Sequence, residues 1–219
     1  MTQTSMGLVK VNSPDQTIKR FNDGAMERSM YGALNVRINM TPEKAHDQLR
    51  LLVQSLSLQP LRQACTYVLD YPNFGTHCGS VDKHHAYLGG LVVHTFEVAS
   101  YALHMVEMFP DADRDVVLTA AIFHDFMKVR DYGIHTPVAG FYETAYRDLV
   151  RHVAGSHAEF VRLVHDCDVT EVTVLKIEHA ILAHHGRKEW GSPIEPQTLE
   201  AHILHYADML SVKYGPGTG

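Results

Sequence analysis

The feature that most constrains the fold is the helical spacing of apolar residues, which begins after "MTP" and continues almost to the C-terminus. Thr41 is a candidate N-cap, and Pro42 suits the first position of a helix. Breakers such as "YPNFG", "FPDAD" and "GRKEWGSPIEP" interrupt the pattern. The spacing predicts an all-α bundle. Its expected helices cover about residues 42–56, 60–70, 86–108, 114–129, 143–164, 171–185 and 197–213.

The residues before the bundle do not follow this spacing. "GLVKV" and "ALNVRINM" alternate only partially between apolar and polar residues, and turn signals separate them. This pattern predicts a short strand pair or an irregular arm. We therefore expect a short irregular or β-containing N-terminal extension over residues 1–41. A helical domain over 42–214 and a flexible tail over 215–219 are expected to follow.

Charge and composition exclude several classes of protein. A formal net charge of −6 argues against a broad nucleic-acid-binding face, although a compact site for one phosphate group stays possible. No apolar run has the length of a membrane helix, and the polar start lacks the core of a signal peptide. We therefore expect no membrane partner and a cytoplasmic setting. The three cysteines are far apart, which predicts isolated thiols.

Polar residues lie on the inward faces of several predicted helices. In "LTAAIFHDFMK", His124 and Asp125 follow the apolar side of their helix. A buried carboxylate is costly unless a cation compensates it. Four other helices each present one imidazole or carboxylate inward, namely His94, His152, His184 and Asp208. Hydrogen-bonded core histidines are the alternative, but two inward aspartates without a matching inward Lys or Arg favour a metal site.

These residues carry a resemblance to a known family. The order His94, His124-Asp125, Asp208 resembles the signature of the HD superfamily of metal-dependent phosphohydrolases. "HDFMK" resembles the common form His-Asp, two residues, Lys, with Met127 in place of the usual Gly. Three stretches over about residues 60 to 213 resemble YhaM-type 3′-to-5′ exoribonucleases: "HHAYLGGLVVHTFEVA", "AAIFHDFMK" and "AILAHHGRKEWGSPIEPQTLEAHILHYADML". The resemblance implies an HD-domain helical bundle.

The resemblance also implies a ligand set for metal ions. A first ion would be held by His94, His124, Asp125 and Asp208. Asp125 would bridge to a second ion, whose site His152, His184 and His185 would complete; a histidine-rich core wall is the alternative. Nitrogen and oxygen ligands without thiolate suit Mn, Fe, Co, Ni or Zn, and Mg is possible.

The implied reaction is hydrolysis of phosphoester bonds in nucleotides or short oligonucleotides by a metal-activated water. Asp125 and Lys128 are the expected catalytic residues. Lys128 could contact the substrate phosphate or orient Asp125, or it could be a solvated lysine that favours the helix dipole. Trp190 and Tyr87 could stack a base, but core packing is the favoured interpretation. The expected substrate-binding residues are His84, His85, Lys128, Arg187 and Glu189, with a charged surface loop as the alternative for the last two.

One difference from the exoribonucleases affects the expected substrate. Those enzymes carry an OB-type domain ahead of the HD domain, whereas some forty residues are too few for a five-stranded barrel. This predicts a nucleotide or short single-stranded nucleic acid as the partner, and a homo-oligomer is possible. Two other classes stay open: an HD-fold di-iron oxygenase and a non-catalytic metal-stabilised binding module.

Overall fold

The structure, a computed structural model, describes residues 40–136 and 140–214. Residues 1–39 of the predicted N-terminal extension and the predicted tail over 215–219 lie outside the described residues. The described residues are mainly helical with a two-stranded sheet, which confirms the predicted all-α class. The elements are α1 (Pro42–Gln54), α2 (Gln59–Asp70), α3 (Gly90–Met108), α4 (Arg114–Phe123), α5 (Lys128–Asp131), β1 (Tyr132–Thr136), β2 (Gly140–Glu143), α6 (Ala145–Leu149), α7 (His152–Val164), α8 (Glu171–Ala183), a 3-10 turn (Lys188–Trp190) and α9 (Leu199–Tyr214).

Side-chain caps fix the first turns of three helices. The Thr41 hydroxyl accepts a backbone N–H of α1, and Pro42 occupies the first turn, as the sequence predicts. Asp113 accepts two backbone N–H groups at the start of α4, and Thr170 caps α8. Each cap satisfies donors that have no partner within the helix.

Helix α4 lies at the centre of the core. Its apolar side chains, such as Leu118 and Ile122, are fully buried, and each contributes roughly 1.5–3 kcal/mol on burial. Helix α3 packs against α1, α4 and α9, while α8 packs against α4, α7 and α9. Because the predicted ligand helices surround α4, the residues after its C-terminus face all of them.

Helix α4 ends earlier than the apolar spacing predicts. The expected helix over 114–129 was wrong, because α4 ends at Phe123 and a tight turn leads to α5. In that turn, Phe126 N donates to Phe123 O, and Lys128 N donates to Asp125 O. These bonds span three residues instead of four. The ring of Phe126 packs edge-on against Tyr71, with centroids 4.9 Å apart, so core packing favours the turn.

The segment between α5 and α7 also differs from the prediction. A β-hairpin, β1 with β2, occupies part of the expected breaker "YGIHTPVAG", with Gly133 opposite Tyr142. A Cβ at Gly133 would lie 2.3 Å from the Tyr142 ring, so a larger residue there would displace that ring. The expected helix over 143–164 was wrong as a single element. It divides into α6 and α7, and Arg151 between them has a φ of 67°.

The third helix begins at Gly90 and not at residue 86. Gly89 has a φ of 80°, and a Cβ there would lie 2.3 Å from Pro42 Cγ, so the chain turns sharply against α1. The preceding loop is folded back beside α3, which brings His84 and His85 next to His94. None of the helices in the described ranges is long and apolar enough to cross a membrane.

Candidate metal centre

Asp125 is the residue around which the candidate site is arranged. It lies in the turn after α4, and only 2% of it is exposed. Its two carboxylate oxygens face different groups of histidines. Oδ2 lies 3.1 Å from His94 Nε2, whereas Oδ1 lies 3.3 Å from His152 Nε2. A single carboxylate therefore borders two clusters of potential metal ligands.

The first cluster joins α3, the end of α4 and α9. His94 Nε2 lies 3.1 Å from His124 Nε2 and 3.3 Å from Asp208 Oδ1. Asp125 Oδ2 is 3.4 Å from His124 Nε2. All four predicted ligands of the first ion therefore converge on one point in the core.

The second cluster joins Asp125 to α7 and to the end of α8. His184 Nε2 lies 3.7 Å from Asp125 Oδ1, and one ligand atom from each of Asp125, His152, His184 and His185 falls within 4.8 Å of the others. The buried atoms Asp125 Oδ1, His152 Nε2, His184 Nε2 and His185 Nδ1 have no hydrogen-bond partner within the described residues. Unpartnered buried polar atoms are costly. A cation between them would satisfy all four.

Hydrogen bonds on the far side of each ring fix its orientation. His124 Nδ1–H donates to Ala121 O at 2.8 Å, and His184 Nδ1–H donates to Ile181 O at 2.7 Å. His152 Nδ1 is 2.6 Å from Asp131 Oδ2. These contacts leave the Nε2 lone pairs free and pointed at Asp125. Outer partners of this kind hold metal-binding histidines in the ligating tautomer.

His94 is held by a longer chain of polar groups. Its Nδ1–H donates to Ser211 Oγ at 2.9 Å, and the Ser211 hydroxyl donates to Glu97 Oε2 at 2.7 Å. With both Nδ1 atoms protonated, the lone pairs of His94 Nε2 and His124 Nε2 face each other. Two such lone pairs repel unless a proton or a metal ion lies between them.

The carboxylates of the centre are held in the charged form. Burial would raise the pKa of Asp125, but Lys128 and His124 lower it well below its usual range. Lys128 Nζ is 2.7 Å from Asp125 Oδ2, and that carboxylate outweighs burial and raises the pKa of Lys128. For Asp208, hydrogen bonding and charge from His94 outweigh burial and lower the pKa. Ionised carboxylates are the form that binds cations.

The histidines divide into neutral and charged rings in the absence of metal. Burial lowers the pKa of His185 to about 4 and that of His84 to about 2, and it lowers the pKa of His184 well below its usual value. Burial would also lower the pKa of His94, but Asp125 and Asp208 raise it to about 9. The two carboxylates therefore require a positive charge at this point, which a proton or a metal ion can supply.

The donor set fits divalent transition metals. It consists of imidazole nitrogens and carboxylate oxygens without a thiolate, and the free atoms converge from separate segments of the fold. Among the described residues, the three cysteines are unpaired and are not part of these clusters. The residues present therefore fit one ion beside Asp125 Oδ2 and a second beside Asp125 Oδ1.

The family profile described as "HD domain" matches residues 91–213, which is more than half of the chain. The chain belongs to the HD domain family. This confirms the predicted resemblance and the predicted class of metal-dependent phosphohydrolase domain. The match covers the segments that carry the described clusters, from α3 to α9.

Several curated relatives share this HD domain. The chain is 33% identical over 145 residues to "3′-5′ exoribonuclease YhaM" of Bacillus licheniformis, covering 66% of this chain and 43% of the relative. The protein of the same name from Bacillus velezensis is 30% identical over 161 residues, covering 74% of this chain and 48% of the relative. The chain thus spans less than half the length of these relatives. No solved structure matches the chain significantly.

The HD domain opens to solvent through a cleft of about 290 Å³ beside Asp125 and Asp208. Lys128 and His84 line it, so two of the predicted substrate-binding residues are placed at its wall. His85 is fully buried and lies between His84 and Glu97, at 3.4 Å from Glu97 Oε2. Its position suits support of the neighbouring ring better than contact with substrate.

The other predicted substrate residues line a second, larger cleft of about 600 Å³. Arg187 and Glu189 are exposed there and lie 3.5 Å apart. Trp190 is 49% exposed, so the favoured interpretation of core packing was wrong for it. Although it is larger, this cleft does not contain the ligand clusters, which lie at the smaller one.

Sequence reasoning missed the residues that hold the candidate ligands. Glu97 lies three residues after His94 on α3, and this spacing could have identified it. Asp131 and Ser211 carried no comparable signal. Asp131 contacts His152 only because α5 is followed by the hairpin and α6, and Ser211 contacts His94 across 117 positions of sequence.

Proposed function

We propose that this chain is a two-metal phosphohydrolase that hydrolyses phosphoester bonds of nucleotides or short single-stranded oligonucleotides. One observation carries the proposal: the two oxygens of Asp125 border separate clusters of histidine nitrogens, and four buried ligand atoms have no partner within the described residues. An HD domain with this arrangement suits one bridging carboxylate between two ions.

Each ion has its own proposed set of ligands. We assign His94, His124, Asp125 and Asp208 to the first ion, and Asp125, His152, His184 and His185 to the second. Divalent ions bound there would stabilise charge on phosphoryl oxygens and lower the pKa of water. This donor set suits Mn, Fe, Co, Ni and Zn, and we also include Mg among the proposed ions.

Lys128 contributes a fixed positive charge at the cleft. Its amine lies 2.7 Å from Asp125 Oδ2 and also lines the cleft, so it can orient the carboxylate and contact a substrate phosphate. Its pKa is raised by Asp125, and it therefore stays charged. A positive group placed where negative charge develops is the usual way to stabilise phosphoryl transfer.

The relatives support a nucleic-acid substrate. They are named 3′-5′ exoribonucleases, and we extend to this chain the coarser activity, hydrolysis of phosphoester bonds in nucleic acid or its fragments. The small cleft at the metal centre suits a single phosphate group. Since this chain covers under half of each relative, the processive action of a whole exoribonuclease is not extended to it.

The setting of this activity is also a proposal. The free thiols of Cys65, Cys78 and Cys167 support a reducing compartment such as the cytoplasm. A homo-oligomer stays a prediction.

A hydrolysis panel tests the proposal. The purified chain is incubated with Mn²⁺, Co²⁺, Ni²⁺ or Mg²⁺ and with nucleotides and RNA oligomers of two to six residues. We expect metal-dependent release of nucleotide, nucleoside or phosphate, abolished by EDTA and reduced at least about a thousandfold in Asp125→Ala. Absence of release with every metal, or iron-dependent consumption of oxygen instead, would contradict it.

A further inference from the structure

The larger cleft is adjacent to the cleft at the metal centre, since Trp190 and Met209 line both. The larger cleft has a volume of about 600 Å³, which is within the range of roughly 300–1,000 Å³ found for ligand sites. The proposed metal chemistry gives no role to the residues that line the larger cleft.

Aromatic rings form the walls of this larger cleft. Trp190 and Tyr206 are 49% and 58% exposed, which is a large apolar area to leave in water. The ring of Trp190 lies at 30° to that of His205, and the ring of His202 lies at 18° to that of Tyr206. Exposed, nearly parallel rings are the surfaces on which nucleobases stack.

One ring of this aromatic wall is hydrogen-bonded to the backbone at the metal centre. His205 Nδ1–H donates to the carbonyl oxygen of His184 at 2.8 Å, and His184 is an assigned ligand. Gly186 has a φ of 81°, and a Cβ there would lie 2.2 Å from the His205 ring. Glycine is therefore required for the ring to pack against the turn. The turn that carries Trp190 ends at Gly191, with a φ of 94°.

Positive charge accompanies the rings. The Arg187 guanidinium lies 4.9 Å from the centre of the Trp190 ring, and Lys213 lines the cleft at the end of α9. Glu189 and Glu195 also line it, so the cleft is not uniformly basic. Aromatic rings with interspersed cations match the alternation of bases and phosphates in a single strand.

From this geometry we infer that the larger cleft binds a nucleobase of the substrate, next to the phosphodiester held at the metal centre. Trp190 is the stacking residue, and Arg187 and Lys213 face the adjacent backbone. The inference rests on the proposed function and refines it. The preferred substrate is a single-stranded oligonucleotide that fills both clefts, and a mononucleotide binds more weakly.

The single tryptophan makes binding directly measurable, because all tryptophan fluorescence of the chain comes from Trp190. The full chain is treated with EDTA to prevent hydrolysis and titrated with AMP and with oligoadenylates of two to six residues. We expect saturable quenching by the oligomers, because a base stacked on Trp190 quenches its fluorescence. No quenching by any oligomer would overturn the inference.

Variants supply a second test with metal-loaded protein. Trp190→Ala should raise the KM for a tetranucleotide by about five- to a hundredfold, as loss of one stacked base implies, with a much smaller change in kcat. Trp190→Phe should restore most of the affinity, and the matched control Phe109→Ala, which removes an exposed ring beyond the end of α3, should match wild type.

The outcomes separate the two proposals. Equal KM values for Trp190→Ala and Phe109→Ala would overturn the inference while leaving the hydrolase intact. A wild type that hydrolyses nothing would contradict the proposed function, and the fluorescence titration would still decide whether the cleft binds a base.

Discussion

At the scale of the residue, the orientation of a candidate ligand can depend on a single contacting group. His152 is held by one carboxylate: Asp131 Oδ2 lies 2.6 Å from its Nδ1 and accepts its backbone N–H at 3.2 Å. Asp131 is 1% exposed, so solvent water does not reach this position to act as the partner of His152 in its place. The orientation of His152 Nε2 toward Asp125 therefore depends on Asp131.

Asp131→Asn should weaken binding of the second ion. Loss of the negative charge makes His152 a less basic metal ligand and leaves its ring less firmly oriented. Substitution of an outer partner of this kind lowers metal affinity about 10- to 100-fold. Isothermal titration calorimetry with Mn²⁺ should show a lower affinity at one class of site and a nearly unchanged affinity at the other.

The control for this experiment is Asp168→Asn, which removes an exposed carboxylate from the loop between α7 and α8. It should bind both ions as wild type does. If Asp131→Asn binds as tightly as this control, Asp131 does not orient the ligand.

At the scale of the element, the bundle is joined by a buried carboxylate remote from the metal centre. Glu200 of α9 accepts the backbone N–H of Asp113 at 3.2 Å and the Lys176 amine at 2.8 Å. It thereby links the start of α4 to α8 and α9. Burial alone would raise the pKa of Glu200, but the bonds from Lys176 and from the backbone outweigh it and lower the pKa.

The lowered pKa predicts how stability depends on pH. Because the folded chain holds Glu200 ionised more strongly than the unfolded chain does, its contribution is fully present above the unfolded pKa of about 4.3. It is lost as the pH falls through the lower, folded pKa. Glu200→Gln should reduce the free energy of unfolding by about 1 kcal/mol at neutral pH, and the difference should shrink below pH 4 or so.

Urea denaturation at several pH values measures this effect. Glu107→Gln, an exposed position near the C-terminus of α3, serves as the control and should follow wild type throughout. A difference between Glu200→Gln and wild type that stays constant from pH 7 to about pH 3 would show that the carboxylate charge is not the cause.

The elements also show where sequence reasoning succeeds. Periodicity predicts the ends of α1, α8 and α9 to within two residues, but it starts α3 four residues too early. It extends α4 past Phe123 because Phe126 and Met127 continue the apolar pattern, although they are buried through a turn. The pairing of β1 with β2 places Gly133 opposite Tyr142, a contact between strands that no local pattern encodes.

At the scale of the whole molecule, the candidate ligands carry a clearer sequence signal than the residues that hold them. His94, His124, Asp125, His152, His184 and Asp208 each interrupt an apolar stripe, and a residue that breaks a pattern is visible in sequence. Ser211 and Asp131 break no pattern, and their roles arise from packing between distant segments. The same holds for Trp190, whose exposure follows from the turn that carries it.

The central claim is that Asp125 joins two metal ions, and metal content per chain tests it most directly. After saturation with Mn²⁺ and removal of free metal, elemental analysis of folded protein should give two ions per chain for wild type, about one for His184→Ala and well below one for Asp125→Ala. Circular dichroism confirms that each variant is folded. One ion in wild type, or unchanged metal content in Asp125→Ala, would contradict the account.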